Sequence, residues 1–357
     1  MADAPLCLLL LTRPLESFIL RDQAVDLLRA PGVIAVDPPR VPYGALLRLP
    51  TAIAGRVAAL QARRLRTALA DRGQPAVVVM FHAVQYPLAK ALLAGRPGGE
   101  LWYSRWDRYE EAYDAGPRQR ERLAGLHVAA ATDSAYTFAV SEELVRLERQ
   151  AGREAHLVPS AADAFPAPEP RPPAAGPPPT DPVAVSLGYL GWRTDWALLR
   201  SVAQEMDDLT LHLVGEWQDD ECAGDPDYVA LRTAPNVIWH GRRPDAEAAL
   251  IIQDADVGII PFTQTAFNDA GLPNRILKYA RQGRHTVSPP LAGARTWARA
   301  VTFADGPAAF AQALRGYAGA RAHPDLELRD WALAQTARAQ NAPLWDRLRD
   351  LGVDVDV

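Results

Sequence analysis

The sequence is poor in cysteine, in lysine and in long apolar runs, and each shortage narrows what the protein can be. Its two cysteines, Cys7 and Cys222, stand far apart, which argues against a disulfide framework or a metal cluster and favours a reducing compartment. The apolar run Leu6–Leu11 is too short to span a bilayer and has the wrong flanks for a signal peptide. Lysine occurs only at Lys90 and Lys278, against 36 arginines, a preference that we attribute to codon bias.

Length and composition indicate an ordinary soluble globular protein with two domains. The chain has 357 residues, of which 48% are hydrophobic and 23% charged. The net charge of −5 conceals a split, because residues 1–157 carry 20 basic and 17 acidic side chains whereas residues 158–357 carry 18 and 26. An acidic half argues against a nucleic-acid partner. The mildly basic first half would suit an anionic acceptor or a membrane surface, and ordinary solvated helix faces explain it equally well.

The first half alternates apolar strands with helices, which is the pattern of a mostly parallel sheet covered on both faces. His82 follows the buried strand Ala76–Phe81, and Asp107 follows the strand Leu101–Trp106. Ligands in such folds lie at the carboxyl ends of the strands, so both side chains fall where chemistry is expected. A helix capped by Ser141 follows the next strand. The other predicted strands are Leu6–Thr12, Gly32–Pro39, Tyr136–Val140 and His156–Pro159.

Between the strands of the first half, Leu46 to Arg72 forms a long basic amphipathic segment. It would suit a helix that faces a membrane or an acceptor. A solvated helix on the outside of the domain explains the same pattern, and both interpretations stay open. The basic residues of the segment are Arg48, Arg56, Arg63, Arg64 and Arg66.

Residues 164–182 mark the boundary between the two predicted domains, which cover residues 1–163 and 183–327. They contain nine prolines, which is typical of a stiff, extended connector outside any packed core. Strands and helices then alternate again, so the second half predicts another parallel sheet. Residues 328–357 are expected to form helices that cross back to the first domain.

The stretch from Asp256 to Ser288 has the pattern of a strand, a loop, a helix and a second strand. Pro273 suits the first position of the helix, and Gly283 suits the position just past its end. A strand that leads into a helix through a glycine-containing loop, here with Gly271, forms an anion site from backbone N–H groups and the helix dipole. Arg275 lies in the first helical turn, where the dipole favours an acidic residue, and a bound anion would explain it.

The same stretch resembles the nucleotide-binding domain of GT-B glycosyltransferases. Pro273, Arg275, Tyr279 and Gly283 match the pattern P-x-K/R-x-x-E-Y-x-x-x-G, which is followed by an apolar strand. The resemblance extends to five motifs in order, GYLGxRxDxxLL, LxLVG, NVxxHG, DVGIIPF and PNRxxxY. It implies an α/β protein with the GT-B fold, in which two Rossmann-like domains turn their parallel sheets to a central cleft. The first domain would bind the acceptor and the second the nucleotide sugar.

The resemblance also implies which residues bind the donor. The glycine-rich turn would let the backbone approach a diphosphate closely, and Arg193 and Arg275 would bind the same group. Arg242 and Arg243 would pack against the base, or form surface ion pairs. The implied donor-site residues are Gly188, Tyr189, Gly191, Arg193, Gly215, Arg242, Arg243, Gly271, Pro273, Asn274, Arg275 and Lys278.

Two positions depart from the pattern of the retaining members of that group. Lys278 stands where they carry a glutamate that holds the ribose, and Ala270 stands where they carry another acidic residue. A lysine cannot accept hydrogen bonds from ribose hydroxyl groups, so Lys278 would reach the diphosphate or point to solvent. The missing acidic pair favours an inverting mechanism, in which a general base deprotonates the acceptor hydroxyl.

The first half resembles glycosyltransferases of the teichuronic acid type. The segment WYSRWDRYEE is similar to a region of those enzymes and of the xanthan glucuronosyltransferase, in which a strand-end aspartate is the base. Asp107 matches that aspartate, whereas Ser104 replaces the first aspartate of the pattern. His82 is the alternative candidate for the base. The other matching residues are Arg21, Gln23, Pro38 and Pro39.

The sequence as a whole predicts a metal-independent hexosyltransferase. The donor would be a UDP- or GDP-sugar that serves as co-substrate, with no further cofactor. The acceptor would be a hydroxyl group of a saccharide or a lipid-linked molecule in cell-surface polysaccharide or glycolipid synthesis. No metal is expected, because Asp254 and Asp256 resemble a D-x-D motif but fall between a helix end and a buried strand. The expected location is the cytoplasm, with peripheral attachment to the inner face of the cell membrane left open.

Three other interpretations stay open at this point. The chain would also suit a natural-product glycosyltransferase, or a non-catalytic GT-B homologue that acts as a partner or sugar-binding protein. A sugar-nucleotide epimerase of the same fold is the third, and nothing in the sequence beyond the fold supports it. The oligomeric state is not indicated by the sequence.

Overall fold

The computed structural model describes residues 4–39, 43–112, 116–171 and 179–356, which form two compact units. The first unit contains the described residues up to Ala161, together with Ala270–Leu272 and the residues from Ala337 on. The second unit contains the described residues of Ala162–Asp269 and Pro273–Thr336. Each unit is built around its own parallel sheet.

The first unit has a six-stranded parallel sheet in the order β2-β1-β3-β4-β5-β6. The central strands are apolar on both faces, as a sheet covered by helices requires. Its strands are β1 (Pro5–Leu10), β2 (Val33–Val36), β3 (Gln74–Met80), β4 (Glu100–Arg105), β5 (Tyr136–Ala139) and β6 (His156–Leu157). Its helices are α1 (Arg21–Leu27), α2 (Tyr43–Arg48), α3 (Thr51–Ala68), α4 (Tyr86–Leu93), α5 (Pro117–Asp133) and α6 (Glu142–Gln150).

The second unit repeats this plan with the strand order β12-β11-β10-β7-β8-β9. Its core lies between the sheet and helices α7, α9 and α13. The strands are β7 (Val183–Leu187), β8 (Thr210–Val214), β9 (Val237–Gly241), β10 (Val257–Ile259), β11 (Thr286–Ser288) and β12 (Val301–Phe303). The helices are α7 (Trp196–Glu205), α8 (Asp219–Cys222), α9 (Pro226–Leu231), α10 (Asp245–Gln253), α11 (Ala266–Ala270), α12 (Arg275–Ala280), α13 (Gly306–Gly316) and α14 (Leu326–Ala334). The predicted architecture of two parallel α/β sheets is therefore confirmed.

Two further helices, α15 (Ala337–Gln340) and α16 (Ala342–Asp350), belong to the first unit. Asn341 Nδ2 donates to Asp26 Oδ2 at 3.0 Å, and Trp345 Nε1 donates to the same oxygen at 2.8 Å. Asp26 is buried on α1, so its carboxylate depends on these donors. Gln23, one of the residues that carry the resemblance, donates to Pro159 O at 2.9 Å and has a structural role in the same unit.

The structure differs from the sequence-based expectation at two helices. The basic segment Leu46–Arg72 is divided into α2 and α3 at Pro50, because proline lacks the N–H group that a continuous helix needs. Helix α12 begins at Arg275 and not at Pro273. Its first turn is closed by a bond from Ile276 N to Pro273 O, three residues apart, which is tighter than α-helical geometry.

The predicted proline-rich connector is partly packed and not extended away from the protein. Phe165 is 2% exposed, and its carbonyl oxygen accepts from Arg281 Nε at 3.2 Å. Gln282 Nε2 donates to Pro166 O at 2.7 Å. Proline has no N–H group, and the carbonyl groups of this segment accept hydrogen bonds from these side chains instead. Residues 172–178 of the connector lie outside the described ranges.

A buried ionic network lies directly behind the end of β4. The Glu148 side chain is fully buried and pairs with Arg105, with Arg153 at 2.5 Å and with His127 at 3.2 Å. Arg105 also pairs with Glu110, which follows the strand. Burial alone would raise the pKa of Glu148, but His127, Arg105 and Arg153 lower it to about 2. The network therefore fixes the segment that begins with Trp106 and Asp107.

We expect Glu148→Gln to destabilise the first unit at neutral pH by about 3 kcal/mol, because it removes the buried carboxylate that Arg105 and Arg153 share and leaves Arg105 with Glu110 alone. The pKa of Glu148 is lower in the folded than in the unfolded protein. Its contribution is therefore present above pH 4.5 and is lost as the pH falls toward 2, by about 3 kcal/mol in all. Chemical denaturation over this pH range measures both effects.

The control is Glu154→Gln, because the Glu154 side chain is 84% exposed. It should stay within about 0.5 kcal/mol of the original protein. If Glu148→Gln matched that control at neutral pH, the network would not be the stabilising element described above.

Candidate functional site

The carboxyl edge of the second sheet carries two glycines at strand ends. Gly188 follows β7 in a conformation with φ of +112°, which favours glycine. Its N–H donates to Val214 O at 2.8 Å, and Gly215 N donates to Gly241 O at 3.0 Å. A Cβ atom at Gly215 would overlap the carbonyl oxygen of Gly188. The backbone segments at Gly188 and Gly215 therefore lie so close together that a side chain at Gly215 would not fit.

Two arginines meet on one aromatic ring beside this turn. The guanidinium carbons of Arg193 and Arg275 lie 4.7 and 4.8 Å from the centre of the Phe262 ring. An Nη atom of Arg275 lies 3.1 Å from where a Cβ of Gly188 would be. Arg193 is held by a 2.7 Å bond from its Nε to Asn268 Oδ1.

Neither of these arginines forms an ion pair with a described carboxylate. The ion pairs found in the described part of the chain include neither Arg193 nor Arg275. Burial lowers the pKa of Arg275, and the nearby charge of Arg193 lowers it further. Two partly buried cations held together without a carboxylate form a site that a multiply charged anion would stabilise. Helix α12 has only six residues, so we assign this property to the side chains and not to the helix dipole.

Tyr279 fixes the turn relative to Arg275. Its hydroxyl oxygen accepts from Leu187 N at 2.8 Å and donates to Ile259 O at 3.2 Å. The ring lies flat against the backbone of Gly258, where any Cβ atom would overlap it. Tyr279 of the motif PNRxxxY and Gly258 of the motif DVGIIPF therefore act together. In the described structure they position the turn at Gly188.

The loop after Gly188 is bonded to Glu221 on helix α8. The Tyr189 hydroxyl group donates to Glu221, and Trp192 N donates to the same carboxylate at 3.3 Å. The Tyr189 ring covers the position where Gly191 would carry a side chain. In this arrangement the two residues shape the loop, and their predicted contact with a donor stays a prediction.

The remaining predicted donor residues of the second unit have different surroundings. Arg243 forms an exposed pair with Glu247 at 3.6 Å, and Arg242 is exposed. Lys278 Nζ lies 4.7 Å from the centre of the Phe165 ring. Asn274 follows Pro273, and its buried Oδ1 has no hydrogen-bond donor among the residues that the structure describes. That oxygen could accept a bond from a ligand hydroxyl group.

Sequence reasoning missed Trp239. Its side chain is 50% exposed, although it lies in the apolar motif NVIWHG. Its Nε1 donates to Gly215 O at 2.7 Å, and its ring centre lies 5.9 Å from that of Trp217. An indole placed beside the second glycine is a flat apolar surface at the edge of the site. The signal was the large aromatic residue on the edge strand β9.

In the first unit, Asp107 lies at the end of β4 and is 9% exposed. Gly271 belongs to the same unit, and a Cβ added there would be 2.8 Å from Asp107 Oδ1. The neighbouring Ala270 O accepts from Ser141 Oγ at 2.6 Å, which holds this short segment in place. Gly271, predicted as a donor residue, is thus brought against Asp107, a relation that no sequence pattern indicated.

His82, the alternative base, is engaged by the backbone. Its Nδ1 accepts from Val84 N at 3.1 Å, so the neutral ring carries its proton on Nε2. Burial lowers the pKa of His82 to about 4, and its ring packs on Tyr109 at 3.9 Å. A neutral imidazole with its Nδ1 occupied is a hydrogen-bond donor at Nε2. While the bond from Val84 is kept, His82 Nδ1 is not free to accept a proton.

The acidic pair Asp254 and Asp256 is used structurally. Asp256 is buried, accepts from Val183 N at 2.8 Å and pairs with Arg321. Asp254 pairs with Arg171. Within the described ranges, no group of three or more histidine, cysteine or acidic side chains is placed to hold a metal ion.

The chain was compared with protein families, with curated proteins and with solved structures. No family model matches the sequence. TuaH of Bacillus subtilis (strain 168), a predicted glycosyltransferase of teichuronic acid biosynthesis, is 28% identical over 110 residues. That match spans 30% of this chain and only 27% of the relative.

Solved structures match over nearly the whole chain. HepE of Anabaena, crystallised with UDP and glucose, has a TM-score of 0.67 at 15% identity and covers 97% of this chain and 100% of its own. The lipopolysaccharide outer core galactosyltransferase WaaB has a TM-score of 0.62 at 12% identity, over 97% and 98%. A UDP-N-acetylglucosamine 2-epimerase also matches, with a TM-score of 0.55 at 9% identity, over 98% and 97%. At these identities the likeness establishes the fold alone.

We expect Gly258→Ala to destabilise the second unit by about 2 kcal/mol or more, because the added methyl group must displace the Tyr279 ring. Thermal unfolding measures the loss. Gly125→Ala is the matched control, since Gly125 lies within α5 and its added Cβ meets nothing within 4 Å. The control should gain up to about 1 kcal/mol from helix propensity. Equal behaviour of the two variants would contradict the role given to Gly258.

Proposed function

We propose that this chain, which has the fold of the GT-B glycosyltransferases, transfers a hexose from a nucleotide diphosphate sugar to a hydroxyl acceptor. The observation that carries the proposal is the pair Arg193 and Arg275 beside the Gly188 turn, two cations for which the described residues provide no carboxylate partner. A nucleoside diphosphate is the leaving group that such a site suits. The arginines would neutralise its developing charge, a task that metal ions perform in other transferases.

The donor half of the reaction is assigned to the second unit. The diphosphate would lie against the Gly188 and Gly215 turns, where the backbone is bare. Arg193 and Arg275 would each donate to its oxygens. Asn274 Oδ1 would accept from a hydroxyl group of the donor, which would satisfy an oxygen that is otherwise buried without a donor in the described structure.

We assign UDP as the preferred carrier. HepE, the similar structure with the higher TM-score of those compared, holds UDP and glucose. The half-exposed Trp239 ring beside Gly215 would provide an apolar surface for the base, with Arg242 and Arg243 at the rim. The nucleotide sugar is the co-substrate, and no other cofactor is needed for the transfer.

The acceptor half is assigned to the first unit, with Asp107 as the general base. It would remove the proton of the acceptor hydroxyl as that oxygen attacks the anomeric carbon. Ala270 and Lys278 leave no acidic side chain at the positions that retaining members use, so we propose inversion at that carbon. His82 would donate a hydrogen bond from Nε2 to the acceptor or to its neighbours.

The setting we propose is the cytoplasmic synthesis of a cell-surface polysaccharide or glycolipid. Support comes from the segment similar to TuaH, a protein assigned to teichuronic acid biosynthesis. A natural-product acceptor is the alternative within the same reaction class.

A second candidate function is nucleotide-sugar binding without transfer. The observation that favours it is the loss of both acidic positions, since Lys278 contacts the Phe165 ring and Ala270 has no polar side chain. Such a protein would keep the donor site and lack turnover. Assays of binding and of transfer therefore separate the two functions.

UDP should stabilise the purified protein, and Arg275→Ala should abolish the effect. At a hundred times its dissociation constant a ligand adds roughly 2.7 kcal/mol, which a thermal shift detects. GDP, dTDP and ADP serve as comparison ligands. The matched control is Arg299→Ala, because Arg299 is a 55% exposed arginine in the same unit. No stabilisation by any nucleotide, or equal stabilisation of both variants, would refute the donor site.

Asp107→Asn should lower kcat by about a hundredfold to ten-thousandfold and leave UDP binding unchanged. The assay follows release of UDP from UDP-hexoses with a panel of saccharide and lipid-linked acceptors. His82→Gln should cost less than Asp107→Asn if His82 only donates a hydrogen bond. Full transfer by Asp107→Asn would refute the base, and UDP binding without any transfer by the unchanged protein would favour the binding function. Nuclear magnetic resonance of the product gives the anomeric configuration.

A further inference from the structure

The outer face of helix α3 exposes two large apolar side chains that the first unit does not need for its core. Ile53 is 46% exposed and Leu60 is 52% exposed, and they lie seven residues, about two turns, apart. The opposite face of the helix is buried through Ala54, Ala58 and Ala62. The helix is therefore anchored by these alanines and by Leu65, and it presents Ile53 and Leu60 to the outside.

Positive charge surrounds this apolar pair. From Tyr43 to Ala70 the chain has five arginines and no acidic residue. Arg56, Arg63 and Arg64 are exposed, and none of the ion pairs in the described part of the chain involves them. By helical periodicity they lie on the same outer face as Ile53 and Leu60.

The helix is held rigidly in this orientation. It packs along α4, and the turn that precedes it is fixed by Arg122, whose Nη1 donates to Leu47 O at 2.7 Å and also to Leu49 O. We call the surface formed by Ile53, Arg56, Leu60, Arg63 and Arg64 the α3 face.

We propose that the α3 face binds the surface of an anionic phospholipid bilayer. The arginines would pair with lipid phosphates, while the two apolar side chains enter the boundary between headgroups and acyl chains. The helix would lie in the plane of the surface, and none of the described helices is long and apolar enough to cross a membrane. This surface is separate from the donor-site residues, so the proposal does not rest on the proposed function.

The combination of the two side-chain types favours a bilayer over a soluble polyanion. Charge alone would suit either partner, because both carry closely spaced negative groups. Ile53 and Leu60 add affinity only where apolar material is available to bury them. A solvated helix face would need neither the apolar pair nor the absence of acidic residues.

The test is sedimentation of the full chain with vesicles of phosphatidylcholine, or of an equimolar mixture with phosphatidylglycerol. Three variants are compared: the triple Arg56→Gln, Arg63→Gln and Arg64→Gln; the double Ile53→Ser and Leu60→Ser; and the control Arg118→Gln with Arg120→Gln on α5. Circular dichroism melting verifies that each variant is folded.

We expect binding to the anionic vesicles only, weakened by added salt. The triple variant should lose on the order of a hundredfold in affinity, the double about tenfold, and the control nothing. Equal binding to both vesicles, no binding, or equal loss in the control would overturn the proposal. If the double variant kept its full affinity for the vesicles and soluble polyphosphate displaced the protein from them, the partner would be a soluble polyanion and not a bilayer.

Discussion

The candidate donor site depends on one contact, the Tyr279 ring laid on the bare backbone of Gly258. Because Gly258 has no side chain, the tyrosine reaches across the sheet and accepts a hydrogen bond from Leu187 at the end of β7. The same helix carries Arg275, so the glycine turn at Gly188 and the cation are set in one rigid relation. This one packing contact thus relates the end of β7 to helix α12 and to the charge that the helix carries.

The two units use arginine in opposite ways. In the first unit Arg105 is fully buried and surrounded by carboxylates, which makes it part of the framework behind Asp107. In the second unit Arg193 and Arg275 share an aromatic ring and have no such partner in the described ion pairs. Buried charge is tolerated where it is paired, and this contrast is why we propose the second pair of arginines as the place where an anionic ligand binds.

Local pattern was sufficient to predict most of the strands, the cap at Ser141 and the helix Trp196–Glu205, because period and capping act over a few residues, but it missed the short edge strand β12. It was insufficient wherever partners are distant in sequence. Glu148 meets Arg105 across 43 positions, and Gly271 meets Asp107 across a whole unit of chain. The resemblance of the motifs was enough to predict the arginines of the site. That the described residues provide them no carboxylate partner could be seen only in the structure.

The hydrogen bonds to Asp26 couple the first unit to residues made much later. Asn341 and Trp345 supply donors to that buried carboxylate on α1, more than three hundred positions away in the chain. Before α15 and α16 are in place, water must supply the hydrogen bonds that this carboxylate otherwise receives from Asn341 and Trp345. Because both helices follow the second unit in the chain, the first unit can be completed only after the residues of the second have been synthesised.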